Sequence, residues 1–311
     1  MSRVAAIDCG TNSLRLLVAD VARDGLLHDV VREMRIVRLG EAVDRTGQFS
    51  AAALTRTFAV LDDYAAMIAT HGVTAVRMVA TSATRDVSNR EEFLAGVRER
   101  IGADPDVIDG DEEARLSFAG ATRELQGSSV AAPYLVCDIG GGSTEFVLGD
   151  ASGVQAARSV NIGCVRMTER HLHDDPPTTA QIDAARADID AAIELAAQTV
   201  PVQQAATLVG LAGSVTTVVA LALGLPHYDP ERIHHTRISA ADVSKVAQSL
   251  LSMTRAERAA LSVMHPGRVD VIGAGALVLD RVLAVGGFDA VLASEHDILD
   301  GIALSAAGLQ E

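Results

Sequence analysis

Two short stretches constrain this chain more than any other feature: Asp8-Cys9-Gly10-Thr11-Asn12-Ser13 and Asp138-Ile139-Gly140-Gly141-Gly142-Ser143-Thr144. Each follows an apolar run that ends on the aspartate, Val4-Ala5-Ala6-Ile7 in one case and Tyr134-Leu135-Val136-Cys137 in the other. Each is followed by a second apolar run, 14–21 and 144–148, and then by a third segment with strand character, 27–39 and 154–161. Strand, tight polar turn and returning strand make a β-hairpin. The order is repeated at a period far too long for a solenoid, so the chain reads as two similar domains.

The remaining elements fill in around that duplication. After the first hairpin come a helix over 50–70 behind a serine cap, a strand over 75–80, a helix over 89–101, a short strand at 107–108 and a helix starting at 109–111. After the second come a long helix over 178–197, with Ile182, Ala185, Ile189, Ile193 and Ala196 on one face, and a strand over 207–211. A helix opened by Ala212-Gly213-Ser214, another over 266–285, a strand over 290–293 and a closing helix over 295–309 complete the second half. The polar Gly127-Ser128-Ser129 places the boundary between a domain of residues 1–127 and one of residues 128–311. At 311 residues the chain exceeds what one core usually supports, in agreement with two domains.

Composition narrows the partners. A net charge of −15 leaves no basic face for a duplex, which argues against nucleic acid. No run approaches 18 apolar residues, and the start meets Asp8 too soon for a signal peptide, so a soluble, cytoplasmic chain with no membrane partner is expected. Cys9, Cys137 and Cys164 show no Cys-x-x-Cys spacing and are expected as reduced core residues. A small anion remains a fitting ligand, because backbone N–H groups and a few arginines hold one without a basic protein.

The hairpin tips supply the chemistry for that. Gly10 and Gly140 to Gly142 let N–H groups converge on an anion with no Cβ in the way, and the hydroxyls of Thr11, Ser13, Ser143 and Thr144 add donors. Asp8 and Asp138, at the strand ends, could hold Mg²⁺ against phosphate oxygens. Gly213-Ser214 opens a helix and offers a third anion-facing turn, weaker alone than the matched pair. Arg85 and Arg268 stand in loops from which a guanidinium could fork a phosphate, although an ordinary surface arginine is the commoner case. Asp109, Asp111, Glu112 and Glu113 crowd one helix start, a pattern the helix dipole favours on any solvated surface. Adjacent helical residues diverge by about 100°, so Glu112 and Glu113 cannot both face one site. Residue types alone leave the choice between them open.

The stretches DCGTNSLRLL, VATSATRD, DGDEEARLSF, CDIGGGSTEFVLG, NIGCVRMTE, GLAGSVTT, HPGRVDVIGAGA and SEHDILDGIAL, in this order, are similar to those of the exopolyphosphatase and guanosine pentaphosphate phosphohydrolase family. The resemblance spans nearly the whole chain. It implies an α/β fold of two actin-like, ribonuclease H-like domains, each a mixed sheet flanked by helices, with an interdomain cleft. It implies Glu113 as the base for the attacking water, with Arg85 at the catalytic site. Asp138 and Glu145 resemble metal-side carboxylates with Asp8 opposite, for Mg²⁺ or Mn²⁺. Asn12, Gly140, Ser143, Cys164, Ser214 and Arg268 match phosphate-channel positions. The activity implied is hydrolysis of the terminal phosphate of inorganic polyphosphate, with guanosine pentaphosphate as the rival substrate and a homodimer as the base-rate assembly. A sugar or acetate-type kinase and a non-catalytic phosphate-chain sensor are the rivals of other classes.

Overall fold

The computed structural model describes residues 1–309. In its first sheet β1 (Ser2–Cys9) and β2 (Ser13–Val21) pair antiparallel, with Cys9 opposite Leu14 and Asp8 opposite Arg15. β3 (Leu27–Ile36) adds antiparallel to β2, while β4 (Ala75–Ala80) and β5 (Asp106–Val107) add parallel beyond β1. The second sheet is built from β6 (Tyr134–Ile139), β7 (Thr144–Asp150), β8 (Gly153–Val160), β9 (Thr207–Leu211), β10 (Arg237–Ser239) and β11 (Ala290–Ala293). The orders are β3-β2-β1-β4-β5 and β10-β11-β9-β6-β7-β8. Both run from third strand to return strand to aspartate strand, and then to two parallel neighbours. The duplication seen in the hairpins thus extends to the topology of two mixed α/β sheets. β10 is an extra edge strand, too short to show an alternating pattern.

β1 is buried on both faces, which is why it reads as an unbroken apolar run. Ala5, Ile7 and Cys9 face Leu54, Leu61, Tyr64, Phe93 and Val97 from the helices Ala51–Thr70 and Arg90–Ile101. Val4 and Ala6 share the opposite core with Leu116, Ile298, Leu299 and Ile302. The Tyr64 hydroxyl donates to the Leu14 carbonyl at 2.9 Å, anchoring the long helix beside the first hairpin. In the second unit, Ala185, Ile189, Ile193 and Ala196 are buried as their spacing required. That helix, Thr179–Ala197, opens with a capping box from Thr178 and Gln181.

By their contacts, Met1–Gly120 and residues 298–309 form one compact unit, and Ala121–Asp297 the other. The closing helix, Ile298–Ala306, therefore returns to the first sheet, whereas the sequence left it with the second half. Local pattern shows that a closing helix has an apolar face, but not which sheet covers it. Two contacts fix the return. Arg32 of β3 forks the buried Asp300 at 2.5 and 3.3 Å. Gly301 lies so close to the helix Gly110–Thr122 that a Cβ there would overlap the Leu116 carbonyl. The closing helix begins at Ile298 and not at 295. The helix expected over 266–285 likewise begins at Ile272, because Pro266–Arg268 forms a separate 3-10 turn capped by His265. Cys9, Cys137 and Cys164 are free and buried. Among the described residues no helix is long and apolar enough to cross a membrane.

Candidate active site

The first unit carries one half of the candidate residues. At its hairpin tip the Gly10 N–H donates to the Ser13 carbonyl at 3.0 Å. The Thr11 carbonyl accepts from Gly40 N–H at 2.8 Å, and the Asn12 carbonyl accepts from Val37 and Arg38 N–H at 3.1 and 2.9 Å. Among the described residues no hydrogen bond engages the Thr11 and Asn12 N–H groups. A turn with its carbonyls tied down and its N–H groups unspent is an anion cradle. The Thr11 hydroxyl is 3.0 Å from that of Ser82, which opens the one-turn helix Ser82–Arg85. Arg85 closes that helix and donates Nη1 both to the Ile108 carbonyl, at 2.9 Å, and to Glu113 Oε2, at 2.7 Å. The two residues expected to be catalytic are thus an ion pair, in which the guanidinium fixes the direction of the carboxylate.

Helix geometry sets the two adjacent glutamates in different surroundings. The Glu113 side chain is 10% exposed, whereas the Glu112 side chain is 36% exposed and pairs with Arg77 at 2.6 Å. Asp8 is also buried, and Arg15, its partner directly across the hairpin, donates Nε and Nη2 to its Oδ2 at 2.8 and 2.6 Å. Asp8, expected as a metal-side carboxylate, therefore has a cation of the chain at its side.

In the second unit the residue opposite Asp138 is Glu145, and opposite Glu145 on β8 is Ser159. Asp138 and Glu145 are both buried, and the Ser159 hydroxyl donates to Glu145 Oε1 at 2.7 Å. Like charges set directly across a strand pair oppose folding. Two buried carboxylates so placed form an oxygen donor set suited to a hard divalent cation such as Mg²⁺. Where the first hairpin sets Arg15 opposite Asp8, the second sets Glu145 opposite Asp138.

The second glycine turn is built with unusual care. The Gly140 carbonyl accepts from Cys164 N–H at 2.9 Å. The Gly141 carbonyl accepts from Val165 and Arg166 N–H at 2.9 and 3.1 Å. The Gly142 carbonyl accepts from Gly163 N–H at 3.2 Å and from Arg166 Nε at 2.8 Å. The first-turn N–H groups of the helix Cys164–His171, which have no partners within their own helix, are spent on the turn's carbonyls. Among the described residues none hydrogen-bonds the N–H groups of Gly141, Gly142 or Ser143. The Thr144 hydroxyl, expected as a donor to the anion, instead donates to the Ile162 carbonyl at 3.1 Å. Gly163 permits this close seating, because a Cβ on it would overlap the Gly141 carbonyl and the Gly142 nitrogen.

Beyond the turn the remaining candidates form one connected patch. Burial pushes the Cys164 thiol pKa up, and the Cys164 and Ser214 side chains both lie against Gly275. Gly275 has no Cβ where one would overlap the Ser214 hydroxyl. The Arg268 guanidinium lies against Gly213 so closely that a side chain there would overlap it, and donates Nη1 to Thr217 Oγ1 at 3.1 Å. Thr217 in turn donates to the Gly213 carbonyl at 2.6 Å. Ala212, at φ 66°, takes a left-handed conformation where β9 turns into the helix Ala212–Ala222, the kind of strain that clusters at functional sites. Each unit thus gathers its own share of the candidates: Asp8, Gly10, Thr11, Asn12, Ser13, Arg85 and Glu113 in the first, and the rest in the second.

Glu124, His234 and His296 also bring three ligand-type atoms within 4.8 Å of one another. His234 Nδ1 accepts the Glu295 N–H at 3.1 Å, so the proton of the neutral ring sits on Nε2, 2.9 Å from Glu124. That tautomer leaves no lone pair toward the cluster and describes a hydrogen-bonded tie. Residue-level reading missed Arg15, Gly163 and Arg166. Arg15 was recoverable, since counting back across the turn from Cys9 and Leu14 sets it opposite Asp8.

Comparison with known proteins finds relatives along nearly the whole chain. A profile of the Ppx/GppA phosphatase family matches residues 17–308. The chain is 52% identical over 320 aligned residues to Exopolyphosphatase 2 of Mycobacterium tuberculosis, covering 99% of both chains. It is 35% identical to guanosine-5'-triphosphate,3'-diphosphate pyrophosphatase of Photobacterium profundum over 189 residues, 60% of this chain and 36% of that one. The crystal structure of an exopolyphosphatase-like protein superposes with a TM-score of 0.94 at 48% identity, covering 98% of this chain and 97% of that one. An exopolyphosphatase from Cytophaga hutchinsonii superposes with a TM-score of 0.86 at 26% identity, covering 99% of each chain.

Proposed function

The chain belongs to the Ppx/GppA phosphatase family, and on that premise we propose that this phosphoric-anhydride hydrolase is an exopolyphosphatase, releasing terminal phosphate from inorganic polyphosphate. The observation that carries the reading is the pair of glycine turns whose carbonyls are tied back and whose N–H groups are unspent. In this reading each turn offers its N–H groups to phosphate oxygens, the first through Thr11 and Asn12 and the second through Gly141, Gly142 and Ser143. Arg268, held flat against Gly213, takes up negative charge further along the chain.

Glu113 orients the attacking water and accepts its proton, while Arg85 keeps the carboxylate aimed. Asp138 and Glu145 would hold Mg²⁺ or Mn²⁺, which when bound neutralises phosphate oxygens as charge shifts toward the leaving group. Inorganic phosphate leaves, and the shortened chain stays on the donors that held it.

Polyphosphate is favoured over guanosine pentaphosphate by similarity along the full length to Exopolyphosphatase 2. The absence of tryptophan and an aromatic content of 3% agree, since they leave few platforms on which to stack a base. The test is a phosphate-release panel of tripolyphosphate, long polyphosphate, guanosine pentaphosphate and ATP, with Mg²⁺ or with chelator. Release is expected from polyphosphate in Mg²⁺, with chelator abolishing it. Preference for guanosine pentaphosphate would shift the assignment to the nucleotide enzyme, and phosphoryl transfer to an acceptor alcohol without release of free phosphate would make it a kinase.

A further inference from the structure

Arg166 is a buried guanidinium that the mechanism above does not use, and its surroundings give it a task. The residue is 9% exposed, and Nε donates to the Gly142 carbonyl at 2.8 Å. That carbonyl belongs to the same peptide unit as the Ser143 N–H. A cationic donor on the oxygen of a peptide draws electron density from its nitrogen and strengthens the N–H as a donor on the other side. The neighbouring peptides are treated alike by neutral donors: Val165 and Arg166 N–H on the Gly141 carbonyl strengthen the Gly142 N–H, and Cys164 N–H on the Gly140 carbonyl strengthens that of Gly141. Arg166 therefore stands behind the turn, on the side its carbonyls face, and makes the last of three hydrogen-bonded peptides the most polarised.

We propose that Arg166 is a positioning residue for phosphate binding, which holds the Gly140–Ser143 turn with its N–H groups presented and raises the donor strength of the Ser143 N–H without touching substrate. This rests on the reading that the turn binds the phosphate chain. The guanidinium acts on a contact made equally before and during bond cleavage, so its loss falls on KM more than on kcat.

The test compares wild type with Arg166→Met, which keeps bulk and removes charge and donors, and Arg166→Lys, which keeps charge but not the flat Nε donor. Tripolyphosphate hydrolysis and calorimetric binding of tripolyphosphate are measured on each, with thermal unfolding as the check of folding. Arg166→Met is expected to raise KM and Kd about 10-fold or more with kcat within about 3-fold, and Arg166→Lys to raise KM about 3-fold. A folded Arg166→Met with wild-type KM, or a fall in kcat at unchanged KM, would overturn the proposal. Should only Arg166→Lys fold, a wild-type KM in that variant would do the same. A wild type that neither binds nor hydrolyses tripolyphosphate would instead bring down the reading beneath it, so the two failures are told apart.

Discussion

Glu113→Gln is expected to lower phosphate release from tripolyphosphate at least about 100-fold, the usual scale for a general base, while leaving tripolyphosphate affinity near that of wild type. The substitution removes the proton acceptor and keeps the shape, so Arg85 Nη1 can still donate to the amide oxygen and the side chain keeps its direction. Glu112→Gln, one position away on the same helix, loses a partly exposed pair with Arg77 and should leave turnover within about 3-fold. Steady-state kinetics of the two variants with calorimetric binding of tripolyphosphate distinguish a base from a bystander. Equal losses in both would point to damage to the helix and would remove Glu113 from its role.

The second large effect is expected at Gly163, where no side chain is lost and one methyl is added. The atoms that a Cβ would overlap are all backbone, the Gly141 carbonyl and the Gly142 nitrogen, so no rotamer change relieves it. Either the helix Cys164–His171 moves away or the turn moves, and in both cases the hydrogen bonds that hold the turn's carbonyls are broken together. Gly163→Ala should cost about 1–3 kcal/mol of stability by overpacking. Misplacement of the bound chain by about 1 Å should lower kcat/KM about 100-fold even where the variant is folded. Denaturant unfolding and kinetics at a temperature well below the transition separate the two. Wild-type kcat/KM in folded Gly163→Ala would mean that the turn does not have to sit where it does.

What the sequence disclosed, and what it withheld, follows from the range of the forces involved. Strand, turn and returning strand are written locally, and so the hairpins at Asp8 and Asp138 and the burial of Ala185, Ile189 and Ile193 were legible. Asn12 and Cys164 entered only through family resemblance, because their parts in the site come from backbone groups that any residue type carries. The choice between Glu112 and Glu113 needed the phase of one helix against its own sheet. The return of Ile298–Ala306 to the first sheet depends on Arg32 meeting Asp300 across 268 positions, and no local pattern records that. Gly163 and Arg166 were overlooked for a related reason. Each matters through what it does to the backbone of residues 140–143, and a carbonyl turned inward leaves no mark on the residue type.

The most direct measurement observes the backbone amides themselves. Tripolyphosphate titrated into ¹⁵N-labelled Glu113→Gln protein in the presence of Mg²⁺ should shift the amide resonances of Thr11, Asn12, Gly141, Gly142 and Ser143 downfield. The five amides silent while resonances elsewhere move would contradict the claim that the unspent N–H groups of the glycine turns bind phosphate.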